Sequence, residues 1–313
     1  MSGRDWATLL LLSVIWGGSF FFIEIAIRSV APLSIVLIRV ALGAAMLWAW
    51  LGLRRERLVM PPGAAFAFLI LAVLNNVIPF VLFVWAQAEI SGGLASILNA
   101  TTPIWGVIVA HLATSDERAN PAKVAGVILG FAGVAVMIGA DFSEIGADAI
   151  AQLLCLGATL CYALAGVYAR RFRAMGVPPV AVATGQLTAA TLVMAPLVLL
   201  FEPPWLASGP SLEAWAALAA LALVCTSFAY ILYFRLLASA GATNSLLVTF
   251  LIPVTAILLG VLILGEHMEP RHFAGMALIG LGLAAIDGRL FRWRRPAGLT
   301  RLEVRFFPRR LQR

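Results

Sequence analysis

The chain has 313 residues, of which 62% are hydrophobic and 12% are charged. Soluble globular proteins are about 45–50% apolar and about 25% charged. This composition therefore excludes an ordinary soluble domain and indicates an integral membrane protein. The formal net charge of +7 comes from basic residues placed between the apolar segments. That placement is typical of membrane loops, so nucleic acid is not an expected partner.

Ten apolar segments follow one another along the chain, each long enough to approach the roughly 20 residues that a spanning helix needs. The predicted spans are 6–27, 32–52, 64–86, 92–113, 122–140, 149–169, 179–201, 213–236, 242–264 and 271–288. Helix is the expected conformation because lipid offers the backbone no hydrogen-bond partner. We therefore predict an all-α integral membrane protein with ten transmembrane helices.

The distribution of basic residues predicts how the spans are oriented. If the N-terminus lies inside the cell, 19 of the 22 Lys and Arg residues fall on the cytoplasmic side. Cytoplasmic loops carry such an excess, so both termini are expected in the cytoplasm. Residues 289–313 hold nine arginines and one acidic residue, and are predicted to form a basic cytoplasmic tail. The expected location is the cell inner (plasma) membrane, which the chain crosses several times.

An internal repeat organises the chain. The stretch 91–139 is echoed at 241–288, and Pro103 aligns with Pro253 at an offset of 150. Residues 1–140 are then a first five-helix repeat, 141–148 an external linker and 149–288 a second five-helix repeat. Because five is odd, the second repeat enters the membrane in the opposite orientation. Inverted repeats are typical of secondary transporters, which bind substrate near the membrane midplane.

Aromatic and polar side chains occur at mid-depth in several predicted spans. Two stripes, on spans three and eight, are related by the offset of 150 and are expected to face each other across a central cavity. The residues expected to bind the substrate are Trp16, Asn76, Phe80, Phe83, Asn99, Trp105, Tyr162, Tyr230 and Tyr233. Such a pocket suits aromatic or other neutral amino acids, or hydrophobic cations through cation–π contacts. The alternative explanation is core packing with hydrogen bonds between helices.

Two prolines occupy symmetric places near the middle of spans four and nine. Pro103 and Pro253 each remove one backbone hydrogen bond and are expected to kink their helices. Such kinks could bound the binding site and bend during gating. The alternative is a pair of packing kinks with no role in transport.

Two charged residues lie inside predicted spans, Glu24 in span one and Arg39 in span two. An ionisable group within the membrane is a functional candidate and needs a partner. We predict that these two residues form an intramembrane ion pair. A carboxylate beside an arginine holds its charge, so a structural pair is favoured over a proton relay.

Small residues follow one face of the last span in each half. Gly126, Gly130 and Gly133 lie on span five, while Gly275 and Gly282 lie on span ten. Small residues let helices approach closely. We expect packing within the monomer, which is favoured over a homodimer. The expected partners are a small-molecule substrate and the lipid bilayer.

A set of motifs follows the predicted spans in order, namely the WGGSF run at Trp16–Phe20, Arg39, Pro103, Glu117–Arg118, Gly126, Pro253, Gly265–Glu266 and Gly275. Together with the ten predicted spans, these motifs give a resemblance to the EamA type of the drug/metabolite transporter superfamily. It implies two inverted five-helix repeats and the movement, often outward, of small organic metabolites. Aromatic-rich central spans make the chain most similar to the exporters of aromatic amino acids and drugs. Tyr162 and His267 depart from the family pattern, which leaves the substrate open.

Other classes of membrane protein find less support. A membrane-embedded enzyme such as a lipid-modifying transferase would need converging carboxylates, a metal motif or a phosphate-binding loop. A channel would show rings of like charge or a filter segment. Neither pattern occurs in the sequence. Because these motifs are missing, the chain is not expected to be an enzyme. The three cysteines, Cys155, Cys161 and Cys225, have no metal-binding or disulfide spacing. Neither a metal nor a cofactor is expected.

Overall fold

The computed structural model describes residues 2–113, 120–138, 147–202, 209–240 and 248–286. The Glu117–Arg118 turn, most of the predicted linker and the basic tail lie outside these ranges. The α-helices are α1 (Gly3–Ala26), α2 (Pro32–Leu53), α3 (Ala64–Ala72), α4 (Ile78–Ala86), α5 (Gly92–Asn99), α6 (Thr102–Ala113), α7 (Pro121–Ile138), α8 (Ala147–Ala174), α9 (Pro179–Phe201), α10 (Leu212–Ala219), α11 (Ala229–Ala240), α12 (Val248–Leu259) and α13 (Pro270–Ile286).

Seven helical segments of the described chain are long and apolar enough to cross a membrane. They coincide with predicted spans one to four and six to eight. Three shorter apolar helices, Pro121–Val136, Leu251–Leu264 and Pro270–Ile286, coincide with spans five, nine and ten. The chain is therefore a multi-pass membrane protein, and the count of ten spans stays a prediction.

Short π-helical segments interrupt two of the long helical segments and end a third, shorter one. They lie at Val73–Val77 between α3 and α4, at Ala220–Phe228 between α10 and α11, and at Gly260–Leu264 after α12. The first two are related by the same offset of 150 residues as the sequence repeat. A π-helical turn inserts one residue and rotates the side chains that follow, so each turn changes which residues face the centre.

The helices pack in a set of close pairs around the centre of the protein. α7 lies along α13, α2 along α9, α1 along α12, and α8 along both α4 and α6. Large apolar side chains such as Leu12, Ile35, Leu98 and Leu187 are fully buried between these pairs. The core therefore runs between the two halves of the chain.

Glycines allow the closest of these approaches, between α7 and α13. A methyl group on Gly126 would lie 2.5 Å from the carbonyl oxygen of Gly282, and one on Gly133 would lie 2.7 Å from that of Gly275. Only a residue without a side chain fits such a contact. The glycine faces of spans five and ten thus pack against each other within one chain.

Carboxylates that lie just after the ends of other helical segments cap two helices at one end of the protein. α2 begins after Ala31, which provides no side-chain cap. Glu202, at the end of α9, accepts hydrogen bonds from the backbone N–H groups of Leu33 and Ser34, both at 2.8 Å. Glu266 similarly accepts bonds from Gly92 and Gly93 at the start of α5, at 3.2 and 3.1 Å. Both carboxylates satisfy donors that a helix leaves open at its N-terminus.

Candidate functional site

A cavity of about 430 Å³ lies among helices from both halves of the chain. Its volume falls in the range of small-molecule sites, about 300–1,000 Å³. Seven of the nine residues predicted to bind substrate line it, namely Trp16, Phe80, Phe83, Asn99, Tyr162, Tyr230 and Tyr233. The structure therefore brings these side chains together around one space, and their contact with a substrate stays a prediction.

Aromatic rings in this wall contact one another across helices. The Trp16 and Tyr233 rings have centroids 5.4 Å apart, which joins α1 to α11. Phe83 stacks on Tyr162 at 6.1 Å, which joins α4 to α8. Offset and tilted ring pairs of this kind are favourable. They form a preformed apolar surface that can accommodate a planar solute.

Asn76 and Trp105 lie outside the lining, although both were expected in it. Asn76 is fully buried, and its Nδ2 donates to the Tyr230 hydroxyl at 3.3 Å. The π-helical turn at Val73–Val77 contains both asparagines, and it is Asn75 that lines the cavity. The Trp105 ring instead packs edge-to-face on Phe131 at 5.0 Å.

A small hydrogen-bond network supports the wall at this point. Asn75 donates through Nδ2 to the Gln186 side-chain oxygen at 3.2 Å and to the Tyr230 hydroxyl at 3.3 Å. Asn75, Gln186 and Tyr230 all line the cavity. Because buried polar groups need partners, the network fixes the orientation of the amide groups that a solute would meet.

The structure does not pair Glu24 with Arg39, which corrects the predicted ion pair. Arg39 Nε donates to the Thr226 hydroxyl at 2.9 Å, and the guanidinium carbon lies 3.8 Å from the centre of the Phe80 ring. Glu24 lies instead where it interacts electrostatically with Glu266 and Arg28, and its Oε2 is buried without a hydrogen bond in the described chain. The two side chains leave their helices toward different neighbours.

The two prolines differ in their surroundings. The helix of predicted span four is broken at residues 100–101, and Pro103 lies in the first turn of the helix that follows. Pro253 lies inside the continuous helix α12, seven residues before the π-helical turn at Gly260–Leu264. A break therefore accompanies Pro103, whereas Pro253 sits within regular helix. A gating role for either residue stays a prediction.

Side chains of α1 and α4 contact one another on the side of the cavity toward Glu266. The Phe20 and Phe83 rings meet edge-to-face with centroids 5.7 Å apart, and Gln87 Nε2 donates to the Phe20 carbonyl at 2.9 Å. The lining extends in the other direction as far as Ala169, next to the arginines at 170–173. The cavity thus reaches the end of the helices that carries basic residues.

Several lining residues were missed by sequence reasoning because small or apolar side chains give no polar signal. They are Ser19, Ile23, Ala165, Gly166, Phe234, Val248 and Ile252. Ser19 belongs to the WGGSF run and could have been included on that ground. Thr102 also lines the cavity, at the start of the helix that follows the break after Asn99.

Comparisons with known proteins agree with this architecture. An uncharacterized transporter of Archaeoglobus fulgidus is 26% identical over 297 residues, which cover 92% of this chain and 96% of the relative. The uncharacterized inner membrane transporter YedA of Escherichia coli is 27% identical over 277 residues, covering 87% and 86%. The uncharacterized transporter YoaV of Bacillus subtilis is 23% identical over 282 residues, covering 88% and 94%.

A solved crystal structure has the same fold, with a TM-score of 0.67 at 20% sequence identity. The match covers 94% of this chain and 100% of the other. The model of the EamA-like transporter family matches residues 6–139 and, a second time, residues 149–286. These two matches span most of the chain, which therefore belongs to the EamA-like transporter family.

Proposed function

We propose that the protein is a secondary transporter that exports small organic metabolites by alternating access through the central cavity. The observation that carries this proposal is the cavity itself, which is walled by both halves of the chain and extends to the end that carries basic residues. With the predicted orientation, the end near the arginines at 170–173 faces the cytoplasm. A solute would enter there and leave when the opposite end opens.

An inverted-repeat mechanism is supported by the symmetry of the helix pairs. If spans one to five correspond to spans six to ten, the α1–α12 pair corresponds to the α8–α6 pair. Exchanging the two halves maps the α2–α9 pair onto itself, and it does the same for the α7–α13 pair. Two such halves can rock against each other around a fixed midplane site.

The favoured solutes are aromatic or other neutral amino acids. Aromatic rings dominate the wall, while Asn75, Asn99 and Gln186 provide a few polar contacts. Sites for small amphipathic molecules have this composition. The expected location is the inner membrane, as in the name of the Escherichia coli relative.

The test is transport by the purified full chain in proteoliposomes. Labelled tryptophan, phenylalanine, threonine and a hydrophobic cation are supplied with and without a pH gradient. Saturable movement of the aromatic amino acids supports the proposal, and a response to the gradient indicates proton coupling. Non-saturable flux would instead indicate a channel, and chemical conversion of a lipid or solute would indicate an enzyme. Trp16→Ala should reduce transport. Trp85 is 45% exposed, so Trp85→Ala should leave transport unchanged.

A further inference from the structure

Arg39 is the one charged side chain among the described residues that line the central cavity. It is only 8% exposed. Within the described chain, its single hydrogen bond is the one from Nε to the Thr226 hydroxyl. No carboxylate of the described residues forms an ion pair with it. Among the residues that the structure describes, the cavity wall therefore carries a positive charge without a negative partner.

Most of the hydrogen-bonding capacity of this guanidinium remains unused. Five N–H donors are present in an arginine side chain, and only that of Nε has a partner among the described residues. The Phe80 ring, 3.8 Å away, attracts the cation through its π face but accepts none of the remaining in-plane donors. Burying a charge without a paired anion is costly. The site is therefore incomplete as built and suited to an anion.

We propose that Arg39 binds the carboxylate of the transported solute, so that the cavity selects small organic carboxylates with an aromatic or apolar body. This inference rests on the proposed transport function. The planar guanidinium matches a carboxylate through two parallel hydrogen bonds. The solute body would then lie against the Trp16 and Tyr233 rings, which line the same cavity.

The charge balance favours a carboxylate over the other anions and over cations. One guanidinium neutralises one carboxylate, whereas a doubly charged phosphate ester would leave excess negative charge in a wall whose other described residues are uncharged. A hydrophobic cation would meet a like charge in a medium of low dielectric constant, where repulsion is strong. Amino acids satisfy the proposal through their carboxylate, and aromatic acids without an amine satisfy it equally.

Binding to the purified full chain in detergent tests the proposal directly. The probes are 3-phenylpropionate, its neutral amide 3-phenylpropionamide, phenylalanine and phenylalaninamide, with Kd measured by titration calorimetry. We expect the two carboxylates to bind roughly 10- to 100-fold more tightly than the matched amides, as expected for hydrogen bonds to a charged group. Arg39→Gln should remove this difference, and Arg39→Lys should retain part of it.

Arg28→Gln is the matched control because Arg28 is exposed. It should leave both affinities unchanged. The unfolding temperature shows whether Arg39→Gln folds. If it does not, the ratio of the Kd values for amide and acid, measured with the wild type and with Arg39→Lys, still tests whether Arg39 binds the carboxylate. Equal affinity for acid and amide in the wild type, or binding of neither, would overturn the role of Arg39.

Transport of the same four probes separates the two proposals. Carboxylates that bind through Arg39 but do not cross the membrane would refute the transport function and keep the carboxylate site. Transport of amides and acids at equal rates, unchanged by Arg39→Gln, would refute the carboxylate site and keep the transport function.

Discussion

Tyr230 connects the aromatic and polar parts of the cavity wall. Its hydroxyl accepts hydrogen bonds from Asn75 and Asn76, both at 3.3 Å, and its ring stacks on Phe234 with centroids 6.1 Å apart. The Asn76 side chain has no other hydrogen bond in the described chain, and its oxygen is buried without a partner there. The hydroxyl therefore orients an amide that nothing else in the described chain holds.

Tyr230→Phe should destabilise the protein by about 1–3 kcal/mol, because it leaves a buried amide donor unpaired. The ring would remain, so the apolar surface of the wall should be preserved. Unfolding in detergent, followed by circular dichroism, measures the change. Tyr168→Phe is the control, since the Tyr168 hydroxyl accepts a hydrogen bond from Arg171 at an exposed site. Equal stability of the two variants would contradict the role given to Tyr230.

Composition and spacing predicted most of the aromatic wall but not the partners of Arg39 and Glu24. The type and depth of a residue can be taken from the sequence, because depth follows from its place within a span. The direction in which a side chain leaves its helix depends on π-helical turns and on neighbouring helices. Arg39 meets Thr226 in the π-helical turn at Ala220–Phe228, a contact between residues 187 positions apart.

At the scale of helices, α2 depends on a carboxylate from another helix. Its first turn begins with Ala31 and Pro32, and Leu33 and Ser34 donate to Glu202 at the end of α9. The Ser34 hydroxyl adds a third hydrogen bond at 2.8 Å. This contact joins α2 to α9 at the same end of the protein as the Glu266 cap.

Glu202→Ala should lower the free energy of unfolding by about 0.5–2 kcal/mol, the usual cost of losing a helix N-cap. Glu202→Gln should cost less, because an amide oxygen still accepts but carries no charge. Thermal unfolding of the purified variants measures both effects. Glu89→Ala, at an exposed position, is the control and should have little effect. A Glu202→Ala protein as stable as the control would show that the cap is dispensable.

Helix boundaries were predicted well where an apolar run is bounded by polar residues, glycine or proline. The predicted spans 64–86 and 179–201 coincide with helical segments in the structure. The break at residues 100–101 was not placed, because the sequence there contains no glycine and the expected kink was assigned to Pro103. α8 also continues to Ala174, beyond the predicted end at 169, since arginines are good helix formers outside the apolar core.

At the scale of the whole molecule, the α7–α13 contact joins the last helices of the two halves. Gly282 lies against Gly126 and Gly130 so closely that a methyl group on it would meet the Gly126 oxygen at 2.5 Å. Gly280, two residues earlier on the same helix, has open space around the position of a side chain. The two glycines therefore form a matched pair for testing the contact.

Gly282→Ala should destabilise the protein by about 1–3 kcal/mol, the usual cost of overpacking a close contact. Gly280→Ala should be neutral or slightly stabilising, because alanine favours helix over glycine. Unfolding temperatures in detergent and the yield of monodisperse protein measure the difference. Similar behaviour of the two variants would contradict the close packing of α7 on α13.

The unpaired charge of Arg39 has a consequence for the electrical behaviour of the cycle. Moving one elementary charge through 100 mV corresponds to about 2.3 kcal/mol. In the proposed transport cycle, with the predicted orientation, Arg39 would take the negative potential of the cytoplasm when the cavity is open at its basic end. The membrane voltage would then favour the empty protein in its cytoplasm-facing state, and a bound monoanionic carboxylate would cancel that bias.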